Sequence, residues 1–381
     1  MPFRLQRLAI PLLAVLVAAC SSTPPEPEAK SYPRITAERV KLQRLWKVSV
    51  GDGQDGTQVR LTPAVSGQHV AAASRDGLLM LVDRESGRLQ WKKKTRLPIT
   101  AGPAAGYGLV AIGTAKGELV LYSQADGSEK WRASLGAPVL AAPAIAADRV
   151  VVLAGDGVVH ALALEDGAVR WTYNTSVPPL TLNTNAAPLL ADDRIYIATS
   201  GGKLIRLDPE TGAAEWEVRV ATNSGRSELE RMNDVVGNLL RVGERELYSV
   251  GFQSQLTMTD VEAGRRRWQY ELSSVNDPAE GLGNIYVTDV EGFVLAVDRA
   301  SGKLAWKQPD YAYRQLSNPV VLNNLLAVAD DDGRVHLLSQ SDGAVRGRVR
   351  ASGDAVVALV VRDDVLYAWD DDGGLSAWKL R

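Results

Sequence analysis

The sequence has almost no cysteine: among 381 residues there is one, Cys20. A disulfide framework or a thiolate metal cluster therefore cannot be built within the chain. A charge bias is missing too, since 43 Lys and Arg face 45 Asp and Glu. That removes the basic footprint left by nucleic-acid binding, and no basic cluster follows the N-terminal segment to engage an anionic lipid surface. Histidine is scarce, with His69, His160 and His336 alone. No G-x-S-x-G elbow and no H-E-x-x-H pair occurs, so the sequence carries neither a nucleophile elbow nor a zincin site. What is present is 45% hydrophobic residues, enough to bury a large core.

Those residues follow a repeat. Glu291 to Trp306, EGFVLAVDRASGKLAW, reads as a β-hairpin with alternating Phe293, Leu295 and Val297, a turn at Ala300-Ser301-Gly302, and a short strand ending on tryptophan. The same pattern ends at Trp91, Trp131, Trp171, Trp216 and Trp268, and a seventh copy carries Gly347 in place of the tryptophan. A turn glycine precedes that last position by four residues in every copy: Gly87, Gly127, Gly167, Gly212, Gly264, Gly302 and Gly343. A period of about 40 residues is the mark of a repeat architecture.

The ends of the chain complement each other. VKLQRLWKVSV, from Val40, holds Trp46 with no hairpin before it, and the C-terminal DAVVALVVRDDVLYAWDDDGGLSAWKLR reads as three strands lacking a fourth. The first strand thus completes the last sheet, closing a ring and removing two open edges. The sequence predicts an all-β fold, an eight-bladed β-propeller of four-stranded antiparallel blades over residues 40–381. The tryptophans are expected to pack between neighbouring blades as core. Inner strands are expected to open at Pro63, Pro103, Pro143, Pro188 and Pro319, since proline is tolerated at a first strand position. Asp-Gly pairs such as Asp76-Gly77 and Asp332-Gly333 suit tight hairpins.

Two adjacent stretches exceed what the scaffold needs: NTSVPPLTLNTNAAP after Trp171 and ATNSGRSELERMNDVVGN after Trp216. Both fall between an outer strand and the next inner strand, so both emerge on one face, side by side. Loops longer than their connection requires are where function concentrates. Leu180 and Leu182, two apart in an extended loop, are expected to form a small apolar ridge beside Glu230 and Asp234.

Residues 1–19 read as a signal peptide, with Arg4 and Arg7 before an apolar run, Leu8 to Val17, too short to span a membrane. The run ends in Val17-Ala18-Ala19-Cys20, which resembles a bacterial lipobox and implies Cys20 as the lipidated N-terminus. Ser21 in place of aspartate resembles the outer-membrane default. Each buried CH₂ of an acyl chain adds about 0.8 kcal/mol of membrane affinity. Residues 20–39, rich in proline and charge, read as a flexible tether.

Other motifs carry ordinary structure. Gly51-Asp52-Gly53-Gln54-Asp55-Gly56 matches G-x-G-x-x-G, but no helix follows and its aspartates repel pyrophosphate, so it reads as an inter-blade loop. His160 and His336 occupy strand positions where other copies carry Met80, Val120 and Leu295. Asp330-Asp331-Asp332 and Asp370-Asp371-Asp372 read as solvated turns without an EF-hand pattern. No metal or cofactor is expected.

The repeat D-x-x-[ST]-G-x-x-x-W resembles the tryptophan-docking motif of pyrroloquinoline-quinone enzymes, which are eight-bladed propellers. That resemblance implies the alternative, a quinone-binding or ligand-sensing propeller. Those enzymes set a vicinal disulfide against the quinone, which a chain without a second cysteine lacks. Lipobox, tether and eight such blades together resemble the BamB family of outer membrane protein assembly factors across essentially the whole chain. Its marks here are GDGQDG, PPLTLNTNAAP, SELERMNDV and VVALVVRDDVLYAWDDDGGLSAW. The resemblance implies a non-enzymatic scaffold lipoprotein of the β-barrel assembly machinery, at the outer membrane and facing the periplasm. Its implied partners are the POTRA domains of the barrel subunit BamA and the rest of that complex, with unfolded outer-membrane proteins left open. The family's docking segments, P-x-L-x-L-R and E-x-x-R-x-x-D-x-D, fall on the two long loops. They imply Leu180, Leu182, Asn183, Glu230, Arg231 and Asp234 as partner-binding residues. Asn183 stands at the arginine position and Val236 at the second aspartate position, so the charged part of the pattern is altered.

Overall fold

A computed structural model of the chain describes residues 29, 31–35, 40–54, 59–182, 184–221 and 233–381. All regular structure among them is strand, arranged as eight four-stranded antiparallel sheets. Seven blades are consecutive meanders: blade 1 spans 64–94, blade 2 99–134, blade 3 144–174, blade 4 189–219, blade 5 240–272, blade 6 279–308 and blade 7 320–350. Blade 8 takes Val356–Arg362, Val365–Asp370 and Gly374–Leu380 from the C-terminus and Leu42–Ser49 as its outermost strand. The closing register runs from Leu42 opposite Leu380 to Ser49 opposite Gly374. Ring closure by the first strand is therefore observed.

Strand composition follows position in the blade. Middle strands are sandwiched between neighbouring blades and buried on both faces, as in Arg149–Leu153 (RVVVL), so they read as continuous apolar runs. Outer strands alternate exposed and half-buried residues, as in Leu89–Lys94 (LQWKKK). Direction reverses at each strand. Turns between second and third strands therefore share one face of the ring with the inter-blade connections, and the remaining hairpins occupy the other.

Tryptophan and turn glycine belong to adjacent blades. The Trp46 indole N–H donates to the Arg84 carbonyl, and equivalent bonds of 2.8–3.0 Å join Trp91 to Gln124, Trp131 to Leu164, Trp171 to Pro209, Trp216 to Val261, Trp268 to Arg299 and Trp306 to Gln340. Each ring lies flat on the next blade's turn glycine. At Gly212, with φ +69°, a Cβ would stand 2.5 Å from the Trp171 ring. Four of the rings also meet a tyrosine of their own blade, at centroid distances of 5.7–6.2 Å. Burial of each indole contributes on the order of 2 kcal/mol.

The missing eighth tryptophan has a geometric reason. A side chain at Gly347 would dock on the third hairpin of blade 8, and that hairpin is where the chain is open. Val40 fills the place: its N–H donates to the Arg346 carbonyl at 2.9 Å, and a Cβ on Gly347 would run into the Val40 carbonyl. The Arg381 N–H then closes onto Lys41 at 3.0 Å.

Two expectations change. The inner strand of blade 2 runs Ile99–Gly106 and begins before Pro103. Ile99 and Ala101 pair first, and Pro103, which has no N–H to give, sits at the register shift between Ala101 and Ala104. Pro63, Pro143, Pro188 and Pro319 do stand directly before their inner strands. In the segment read as a tether, Tyr32 and Ile35 lie against the core between blades 6 and 7, because Tyr32 finds both polar and aromatic partners there. Residues 1–28, including Cys20, lie outside the described residues.

Candidate docking face and its inter-blade loops

The face that carries the inter-blade connections surrounds the mouth of a central cavity of about 960 Å³. Apolar inner-strand residues such as Val356 and Leu359 wall one side, and Arg60, Asn276, Asp277 and Arg314 place polar groups on it. The described parts of the two long loops, 175–188 and 220–239, meet at this mouth through Leu182, Thr184, Val236 and Asn238.

Their conformations separate the two leucines. The chain bends at 179–180, so Leu180 points outward and is 40% exposed. Leu182 is half-buried and lines the cavity. The expected two-leucine ridge is thus one exposed leucine and one turned inward. The bend puts the two side chains out of the alternation that an extended strand would give.

Asp234 is not on display either. It is 1% exposed, and its Oδ2 accepts the backbone N–H of Leu182 at 2.6 Å. Its Oδ1 has no hydrogen-bond partner among the described residues. Burial pushes its pKa up to about 6, against the lowering effect of the Leu182 N–H. The Asp234 carbonyl accepts Phe252 N–H at 2.9 Å, and Val235 bridges Gly251 in the same turn of blade 5. Asp234 therefore braces loop 175–188 against loop 220–239 from beneath. Val236 is buried as well, and its carbonyl accepts Arg60 Nη1 at 3.3 Å. An apolar side chain at the family's second aspartate position suits that environment. Asn183, Glu230 and Arg231 lie outside the described residues.

Sequence reasoning missed the polar staples between successive loops. Ala187 N–H donates to Asn238 Oδ1 at 2.8 Å, and Asn238 in turn gives its backbone N–H and its amide to Asp277 at 2.8 and 2.9 Å. Asn276 donates to the Leu316 carbonyl, and Asn318 exchanges two bonds with the Leu359 backbone of blade 8. The available signal was an Asn or Asp at the entrance to successive inner strands. The staples hold the loop bases fixed around the mouth.

Asp330 and Asp370, expected in solvated turns, are instead buried. Gln54 N–H donates to the Asp371 carbonyl and its side chain accepts Leu61 N–H, locking blade 8 to blade 1. The three histidines do not converge: His69 Nδ1 faces Gln124, His160 lies in blade 3 and His336 in blade 7. Asp330 pairs with His336 Nε2 at 2.8 Å.

A model of the family "Outer membrane protein assembly factor BamB" matches residues 75–308 and 312–380. The chain is 46% identical over 374 residues to the outer membrane protein assembly factor BamB of Pseudomonas aeruginosa, covering 98% of each chain. It is 48% identical over 376 residues to that of Marinobacter adhaerens, covering 98% of this chain and 96% of the other. Among solved structures, BamB from Moraxella catarrhalis superposes with a TM-score of 0.82 at 28% identity, over 89% of this chain and all of that one. A quinohemoprotein alcohol dehydrogenase from Comamonas testosteroni has a TM-score of 0.70 at 12% identity, over 88% of this chain and 76% of that one. At that identity the likeness is one of fold.

Proposed function

The chain belongs to the BamB family of outer membrane protein assembly factors, and from that premise we propose that it is a non-enzymatic scaffold lipoprotein of the β-barrel assembly machinery. Cys20 carries the lipid anchor, and the folded ring faces the periplasm from the outer membrane. The face built by loops 175–188 and 220–239 takes the POTRA domains of the barrel subunit BamA. The observation that carries this reading is the clasp between Leu182 and Asp234. It makes two neighbouring long loops into one braced surface with Leu180 exposed on it. Groups already tied together before binding lose less entropy on it, so a modest apolar contact can still give measurable affinity.

In this reading Leu180 is the contact and Leu182 and Asp234 position it, while the family resemblance supplies Asn183, Glu230 and Arg231 as further partner-binding residues. Apolar burial carries more of the affinity than charge, because Asn183 and Val236 replace charged residues of the family pattern. The test is co-purification of the full-length protein with BamA from solubilised outer membranes, together with mass analysis of the N-terminus. Retention of BamA and a lipid-sized increment on Cys20 are expected. A Leu180→Asp protein that retains BamA at parental yield removes this surface, and an unmodified Cys20 removes the anchor.

A further inference from the structure

Blade 7 differs from its neighbours at the position of His336, which other blades fill with Met80, Val120 or Leu295. His336 is fully buried. Its Nδ1 accepts Arg348 Nε–H at 2.9 Å, so its Nε2 carries the proton and donates to Asp330 Oδ2 at 2.8 Å. That is the neutral tautomer, held between a guanidinium and a carboxylate.

Onto this group folds a piece of the N-terminal segment. The Tyr32 hydroxyl reaches Asp330 Oδ2 at 2.7 Å and Asp332 Oδ2 at 2.5 Å. Its ring has the Arg314, Arg348 and Arg334 guanidinium carbons at 3.9, 4.4 and 4.7 Å from the centroid, and the His336 ring at 5.4 Å. Arg314 also pairs with Asp332 at 2.9 Å and with Asp331 at 3.8 Å, so three carboxylates face the three guanidiniums. The Pro33 carbonyl accepts Arg348 Nη2 at 3.1 Å, and Ile35 packs on the adjoining core. A phenol suits this site in each part: an acidic O–H for the carboxylates and a π face for the cations.

We infer that blade 7 holds a binding cage for the chain's own Tyr32-Pro33 segment, and that the cage roots the N-terminal tether on the same face as the docking loops. Asp330 to Gly333 is a turn between second and third strands, so the cage opens on the face of the inter-blade loops. It lies about three blades round the ring from loops 175–188 and 220–239. The consequence for the membrane rests on the proposed anchor at Cys20. Twelve residues separate Cys20 from Tyr32, which limits the span to roughly 40 Å at about 3.3–3.6 Å per residue. A tether free as far as Val40 would reach roughly 70 Å by the same measure. The docking face and the lipid anchor are thereby held on one side of the ring at a bounded distance.

The test uses the full mature chain with Cys20→Ser, so that it is independent of lipidation. Spin labels are placed at Ser31→Cys and at Lys116→Cys, an exposed turn of blade 2, and their distance distribution is measured. A single narrow distance is expected, broadening in Tyr32→Ala to that of an unrestrained linker, with Tyr32→Phe between the two. A broad distribution in the parent, or an equally narrow one in Tyr32→Ala, overturns the cage. An unlipidated Cys20 in the native protein would overturn the anchor and leave this result intact. Unchanged melting of Tyr32→Ala would show that the ring itself remains folded.

Discussion

Leu182 and Asp234 stand 52 residues apart in the chain, and the backbone N–H of the first donates to the carboxylate of the second at 2.6 Å. The bond crosses from the loop before blade 4 to the loop after it. It joins the two elements that exceed the needs of the scaffold. An acid at this place ties the two loops together, with Leu180 left exposed.

Asp234 should make stability depend on pH in an unusual sense. Its folded pKa, about 6, lies above the ordinary 3.8. Below pH 4 the group is protonated folded or unfolded, and burial costs no charge. As pH rises from 4 to 6 the unfolded chain releases its proton first, so stability falls across that window and levels above it. Asp234→Asn keeps an oxygen for the Leu182 N–H and removes the buried charge. It should raise stability at pH 8 by on the order of 2–3 kcal/mol, seen as a higher melting temperature, and the gain should shrink towards pH 4.5. Thermal melts of both proteins at the two pH values check this; a variant less stable at pH 8 contradicts it.

The two leucines should separate under single substitution. Leu180→Asp adds charge at an exposed site and should leave the melting temperature within about a degree while weakening BamA retention about tenfold or more. Leu182→Asp places a charge beside the Asp234 carboxylate and against the cavity wall, and should destabilise by about 2 kcal/mol or more. Paired melting and pull-down measurements read both effects. Equal stability loss in the two variants would mean that Leu180 is core.

His160 and His336 fill matching strand positions with opposite consequences. Both ring nitrogens of His160 are buried without a partner among the described residues, and burial lowers its pKa. His160→Val should therefore stabilise by about 1 kcal/mol. His336→Val strips the buried Asp330 of its Nε2 donor and should cost about 3 kcal/mol. Chemical denaturation gives both values, and the same sign for the two variants would refute the contrast.

The tryptophan dock can be isolated by comparing two glycines. Gly67 and Gly212 both have positive φ, but only Gly212 has an indole where a Cβ would go; nothing lies within 4 Å at Gly67. Gly67→Ala should cost about 1 kcal/mol of backbone strain. Gly212→Ala adds displacement of the Trp171 ring and should cost about 3 kcal/mol or more. Similar losses would show that the ring yields freely.

The number of blades, their strand order and the ring closure were legible in the sequence, because each rests on a local pattern repeated at one spacing. A turn glycine four residues before a tryptophan needs no distant information to be recognised, and Trp46 without a hairpin matched a C-terminus without a fourth strand. The long loops were legible for the same reason, as excess length over a known period. What the side chains in those loops do was decided by tertiary structure. Leu180 and Leu182 look alike in sequence and differ because the chain bends at 179–180. Asp234 looks like a surface acid and is buried because a loop 52 residues away closes over it. Gly347 read as a lapse in the repeat; only the assembled ring shows that its tryptophan would have docked on the gap between the chain ends, where Val40 sits. Tyr32, in a segment whose composition favours disorder, found its partners some 300 residues away in blade 7. Burial and pairing across such separations depend on which surfaces the fold brings together, and local periodicity carries no record of them.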